Sequence, residues 1–283
     1  MAAGGVEAAR AALEAAGGLP DAELGLADVA LQFARIDAPE ADWQGARAAL
    51  SAMLREAARA AAAEPRAARG EAEARRALLA GLLHGTHGFA GDTARYDDPR
   101  NANLIRVLER RRGLPVALGI LWLEVAEAIG WRAHGVDFPG HFLVALEGRS
   151  APLIVDVFHG GRAMGAPELR ALIKRVEGPE AELRPGLLRA MDKRAVLLRL
   201  QNNIKLRRLG AGDIEGALAC TEDMLRLAPD HAALWREAGL MRHRLDRLGA
   251  ALAAFERALE LEPDGEAAAR IRGLAAELRG RLN

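Results

Sequence analysis

The sequence is poor in the residues that carry covalent cross-links and aromatic recognition. A single cysteine, Cys220, stands among 283 residues, which excludes an internal disulfide framework and any cluster of zinc-bound thiolates. Aromatic residues make up 4% of the chain, and tyrosine occurs once, as Tyr96. An excess of one charge is also missing. The 39 Lys and Arg balance 39 Asp and Glu, without the basic surplus that phosphate neutralisation demands of a nucleic-acid binder. Long apolar runs are absent as well: the longest uncharged apolar stretch, Gly113 to Leu123, stops at Glu124, well short of the roughly 20 residues that span a bilayer. The opening residues meet Glu7 before any apolar segment and lack a basic lead, unlike a secretion signal. The expectation is a cytoplasmic protein with neither membrane nor nucleic acid as partner, and with no cofactor.

What remains is abundant in Ala and Leu. At 51% hydrophobic and 28% charged, the chain has enough apolar surface to bury a core, and its commonest apolar residues favour helices. Three textures follow one another. From about Asp28 to Leu83, Leu26, Val29, Ala30, Phe33 and Ile36 recur at helical spacing up to Pro39, and Trp43, Ala46, Leu50, Met53 and Leu54 continue on one face of a second helix. Residues 55–80, rich in Ala, Arg and Glu, read as a charged helical surface, whereas residues 1–20 are expected to fray. From about 84 to 175, glycines, prolines and five of the seven histidines gather. Pro115 suits the first turn of a helix that is apolar nearly all round and therefore buried, ending at Gly130. Three strand-like runs follow, Trp131–Phe138, His141–Glu147 and Leu153–Phe158, separated by turn residues. A buried helix followed by an antiparallel meander is an α+β arrangement.

The third texture, from about Lys193 onward, is helical and repetitive. With Ala232 as position 1 of a 34-residue unit, Trp235, Gly239, Ala251, Phe255, Ala258 and Pro263 fall at positions 4, 8, 20, 24, 27 and 32. This is the tetratricopeptide pattern. A weaker copy with Ala217 and Pro229 precedes it, starting near Leu198, and residues 266–281 serve as a capping helix. Cys220 falls at position 23 of that copy and reads as a small buried packing residue.

The segments Tyr96-Asp97-Asp98-Pro99-Arg100-Asn101, Arg110-Arg111-Arg112-Gly113-Leu114-Pro115 and Phe138-Pro139-Gly140-His141-Phe142-Leu143-Val144 resemble the SirB-type bacterial proteins. That family joins a transglutaminase-like domain to C-terminal tetratricopeptide repeats. The resemblance implies two domains, 20–185 and 193–283: a mostly α, α+β whole with a helical N-terminal part, a papain-like centre with a small antiparallel sheet, and then helical hairpins. It also implies a Cys–His–Asp triad, in which a helix N-terminus and an imidazolium lower the thiol pKa and the carboxylate orients the ring. Here the position of the cysteine is Pro115, that of the histidine His141 and that of the aspartate Asp156.

Proline has no nucleophilic atom and no N–H, so the triad reads as degenerate. A binding or scaffolding protein is the expected function, with a protein or peptide segment as partner. Tyr96, Asp98, Asn101 and His141 are candidate ligand contacts at the cleft, and Trp235 on the repeat surface. The bland readings are a turn and helix cap for Tyr96 to Asn101, and the repeat pattern itself for Trp235. The rival is a hydrolase or acyltransferase in which His141 and Asp156 use another nucleophile, with Thr86 and Ser150 nearby in sequence, or an activated water. His84 and His87, completed by Asp92, Asp97, Asp98 or His159, have spacing open to a metal, but Gly85 and Gly88 suggest a turn, and no metal is expected there. The basic cluster Arg106, Arg110, Arg111, Arg112, interrupted by Glu109, reads as a solvated helix face.

Overall fold

The computed structural model describes every residue except Met1, Ser150, Pro185 and Asn283, with Ala2 and Ala3 described by backbone alone. Its contacts divide the chain into two compact units, one holding Pro20–Leu200 and the residues up to Ala9, the other Gln201 onward together with Arg10–Leu19.

In the first unit the periodic segments form α2 (Leu26–Asp37) and α3 (Trp43–Ala62), after α1 (Ala2–Gly17), which enters from the chain start. The shorter α4 (Pro65–Ala68) and α5 (Ala72–Ala80) follow. Leu26, Val29, Ala30 and Phe33 are buried, as the spacing predicts, and so are Ala46, Leu50 and Met53. A π-helical turn over Gly81–Thr86 replaces the simple turn expected around His84. Next come β1 (Ala90–Gly91), α6 (Leu104–Arg110) and β2 (Arg112–Gly113), which pairs with β1 in parallel.

The apolar helix α7 (Pro115–Ala128) is buried over nearly its whole circumference, because α2, α3, α5 and the sheet all pack on it. Glu124, its first charge, is not wasted: its carboxylate accepts the Ala27 N–H at 2.9 Å, in the first turn of α2. Burial raises the Glu124 pKa above the ordinary carboxylate range. Gly130 ends the helix with φ +74°.

The meander forms where the strand-like runs and the turn residues between them predict: β3 (Ala133–Phe138), β4 (His141–Leu146) and β5 (Leu153–Asp156). The short β6 (Arg162–Ala163), α8 (Ala166–Glu177) and β7 (Arg189–Met191) complete an antiparallel sheet of order β6-β5-β4-β3-β7. Strand β4 reads as one apolar run because both faces are covered. Leu143 and Ala145 join Val136, Phe138 and the α8 residues Leu169, Leu172 and Ile173 in one cluster, while Phe142 points the other way, against Gly119 of α7.

The second unit is built from the remainder of α9 (Lys193–Gly210), then α10 (Ile214–Leu227), α11 (Ala232–Arg244), α12 (Leu248–Leu261) and α13 (Glu266–Leu282). Phe255 fits against Gly239, and with Ala251, Ile271, Ala275 and Leu278 it forms a core. The expectation of a frayed start is overturned. Residues of α1 are helical, with Leu13 and Ala16 buried. Within the second unit, Arg10 pairs with the buried Asp223 at 3.0 Å, Glu14 pairs with Arg226, and Gly17 abuts the Arg226 carbonyl.

Candidate functional site

The tight turn Pro139–Gly140, with Gly140 at φ +62°, delivers His141 to the start of β4. Asp156 ends β5, one strand away, and is almost fully enclosed, 2% exposed. His141 Nε2 lies 3.0 Å from Asp156 Oδ1, and His159 Nδ1 lies 2.7 Å from Oδ2. The amides of Phe158 and His159 also donate to Oδ1, at 3.1 and 3.3 Å. Burial alone would raise the Asp156 pKa, but the hydrogen bonds and charges of the two imidazoles outweigh it and bring it to about 2. The carboxylate is therefore ionised at neutral pH.

The pair is tied to the head of α7. Gly91 N–H donates to the Phe158 carbonyl at 3.2 Å, Gly91 pairs with Gly113, and the Asp92 N–H reaches the Gly113 carbonyl at 3.3 Å. Two residues on, Pro115 is buried in the first turn of α7, where its missing N–H costs nothing. Among the described residues no hydroxyl or thiol is hydrogen-bonded to His141. The Thr86 hydroxyl donates to the Gly81 carbonyl at 3.3 Å, and Ser150 lies outside the described residues. Cys220 belongs to the other unit, where its buried thiol donates to Gln201 Oε1 at 3.4 Å.

The remaining candidates sort by burial. Tyr96 is 43% exposed, its ring edge-on to Phe158 at 5.8 Å, so it stands at the rim beside the pair. Asp98 accepts from Arg100 N at 2.9 Å, capping the 3-10 turn Pro99–Asn101. The Arg100 guanidinium beside it holds its pKa down to about 2. Asn101 is fully enclosed, donating to the Arg95 carbonyl at 2.7 Å and accepting from Arg110 at 3.1 Å, which leaves it no exposed atom for a ligand. Trp235 sits in the repeat unit, half-buried, and donates its indole N–H to the Pro229 carbonyl at 2.7 Å.

His84 and His87 are not brought together as ligands. Trp122 Nε1–H can only donate, so His84 Nε2 accepts at 3.1 Å and Nδ1–H donates to the Phe89 carbonyl at 2.8 Å. Burial pushes the His84 pKa below its ordinary value, which suits this neutral ring. His87 faces Glu56 at 3.0 Å. The arginine cluster is less solvated than expected: Arg106 pairs with Glu40 and Glu109, and Arg110 with Asp92 at 3.1 Å. Sequence reasoning gave His159 no part in the triad site. Its signal was the Asp-x-x-His spacing at a strand end, where one tight turn returns the ring to the carboxylate.

Comparisons with known proteins agree with the order of the two folded parts. A profile of the transglutaminase-like superfamily matches residues 44–202, and a tetratricopeptide repeat profile matches residues 204–276. A UPF0162 protein of Xylella fastidiosa is 33% identical over 194 residues, 68% of this chain and 69% of the relative. A UPF0162 protein of Vibrio cholerae is 30% identical over 244 residues, 86% of this chain and 88% of the relative. Human F-box only protein 21 is 27% identical over 143 residues, 48% of this chain and 21% of its own length. The chain belongs to the transglutaminase-like superfamily, in the SirB-type UPF0162 family that follows this domain with tetratricopeptide repeats.

Proposed function

We propose that this is a non-catalytic binding or scaffolding protein, combining a degenerate transglutaminase-like cleft with a peptide-binding repeat surface. The observation that carries the reading is Pro115 at the head of α7, in a domain whose His141–Asp156 pair is intact at 3.0 Å. A triad without its nucleophile keeps an oriented imidazole and a fixed negative charge, which serve to hold a ligand as well as to activate one. The repeat unit supports the other half of the reading. Between α9 and α11 lies a groove of about 370 Å³, lined by Asn202, Leu209, Met241 and Arg244 and by Leu206 and Leu240. The last two are 56% and 44% exposed, an apolar pair on adjacent helices of the kind that receives a peptide.

The test has two arms on full-length, EDTA-treated protein. Amide hydrolysis and amine incorporation are expected to stay at background for the natural chain. Both Cys220 and position 115 are buried, and in Pro115→Cys the introduced thiol is expected to react with iodoacetamide faster than Cys220, since a helix N-terminus lowers a thiol pKa. Peptide panning is expected to return ligands whose capture weakens roughly tenfold in Leu240→Glu, the loss of one well-buried leucine contact. Turnover by the natural chain that disappears in His141→Ala would overturn the reading in favour of a hydrolase or acyltransferase.

A further inference from the structure

A Cys–His–Asp device needs one imidazole on its carboxylate; this site has two. The second, His159, has no part in the triad, yet it makes the shorter bond to Asp156, 2.7 Å against 3.0 Å for His141. We propose that His141 Nε2, an Asp156 carboxylate oxygen and His159 Nδ1 form a binding site for a divalent transition-metal cation of the zinc class, with a coordination position left open for water or an anionic ligand group. This inference rests on the reading of the cleft as a binding site and names its ligand class.

The three donor atoms lie within 4.8 Å of one another. A tetrahedral ion at about 2.0–2.1 Å from each nitrogen or oxygen places its donors about 3.3 Å apart. The two bonds to the carboxylate, 3.0 Å to Oδ1 and 2.7 Å to Oδ2, are near that spacing, and side-chain rotations of roughly 1 Å, which draw in the wider separations, would seat the ion. Two imidazoles with one carboxylate suit Zn²⁺, Co²⁺ or Ni²⁺, whereas Mg²⁺ and Ca²⁺ call for oxygen. The carboxylate is gripped from behind by the Phe158 and His159 amides, the kind of outer support that orients a ligating group. His159 is half-exposed, its side chain 47% accessible, which gives the ion a way in.

The protons balance without an outside reagent. Each neutral ring that now donates to Asp156 moves its proton to the other nitrogen, His141 Nδ1 and His159 Nε2, and offers the freed lone pair. Rings that carry two protons must lose one, so binding weakens in acid.

The test titrates chelator-stripped full-length protein with Co²⁺ near neutral pH and follows the visible d–d absorption bands, with Zn²⁺ added last. One equivalent per chain, displaced by Zn²⁺, is expected. The bands are expected to be lost in His159→Ala and in Asp156→Asn and kept in His134→Ala, whose ring faces Glu147 instead. Because His159 is half-exposed, its variant is expected to melt within a few degrees of the natural chain, and circular dichroism checks this. Absent d–d bands, or bands unchanged in His159→Ala, overturn the proposal. The EDTA-treated panning assay is read without metal, so a failure here is distinguishable from a failure of the binding reading.

Discussion

Asp156 and His84 show how single residues in this centre answer to protonation, and they do so in different pH ranges. Burial keeps the His84 ring below its ordinary pKa of 6.5, so the unfolded chain takes up that proton first. Stability is then expected to fall as pH drops below about 6.5, levelling once the folded ring also titrates. Asp156 has the opposite displacement: its carboxyl lies at about 2 instead of 3.8. Its stabilisation is complete above about pH 4 and is lost toward about pH 2. Urea midpoints between about pH 7.5 and about pH 5.5 isolate the first effect, and His84→Gln is expected to flatten that slope. An unchanged slope would mean that His84 is not the titrating group. At this scale the sequence was partly legible. His141 and Asp156 were found because strand boundaries and a family pattern point to them. The role of His84 was not, since it depends on a Trp122 indole arriving from another helix, and the burial of Asn101 depends on Arg110 folding back over it.

Among the elements, α7 decides the geometry, and its closest approach to the sheet passes through one missing side chain. A Cβ at Gly119 would stand 2.2 Å from Phe142 Cε1, beside His141 in the same strand. Alanine favours a helix over glycine by up to about 1 kcal/mol, but forcing atoms into a filled core costs about 1–3 kcal/mol. Gly119→Ala is therefore expected to lower the urea midpoint, by roughly 1 kcal/mol of net stability. A gain would show that α7 and β4 separate easily. Helix α7, the meander and the repeat hairpins were legible because each is an apolar run bounded by proline, glycine or turn residues, or carries a fixed fingerprint. The edge strands β6 and β7 and helix α8 were not. Two or three residues such as Arg189–Met191 carry no alternation to recognise, and they are strands only because β5 offers an edge to β6 and β3 offers one to β7.

For the molecule as a whole, the unexpected feature is that the repeat unit is discontinuous in sequence. Arg10 and Arg226 both reach the buried Asp223, at 3.0 and 3.2 Å, and burial raises that carboxyl's pKa even against both cations. Arg10→Ala leaves the carboxylate with one partner. Breaking a buried pair outright costs about 3–5 kcal/mol; with Arg226 still in place and Arg10 partly exposed, about 1–2 kcal/mol is expected. Faster amide hydrogen exchange along α10 would report it, and unchanged exchange would show that Arg226 suffices alone. The Ala- and Gly-rich start gave no warning of this, because its contacts are made across 213 positions and leave no local period. The consequence concerns synthesis. A ribosome makes the amino end first, so Arg10 must wait about two hundred residues before Asp223 exists to receive it. A piece cut at the first repeat helix would lack this brace, and an expression plan for the repeats alone should carry residues 10–19 with them.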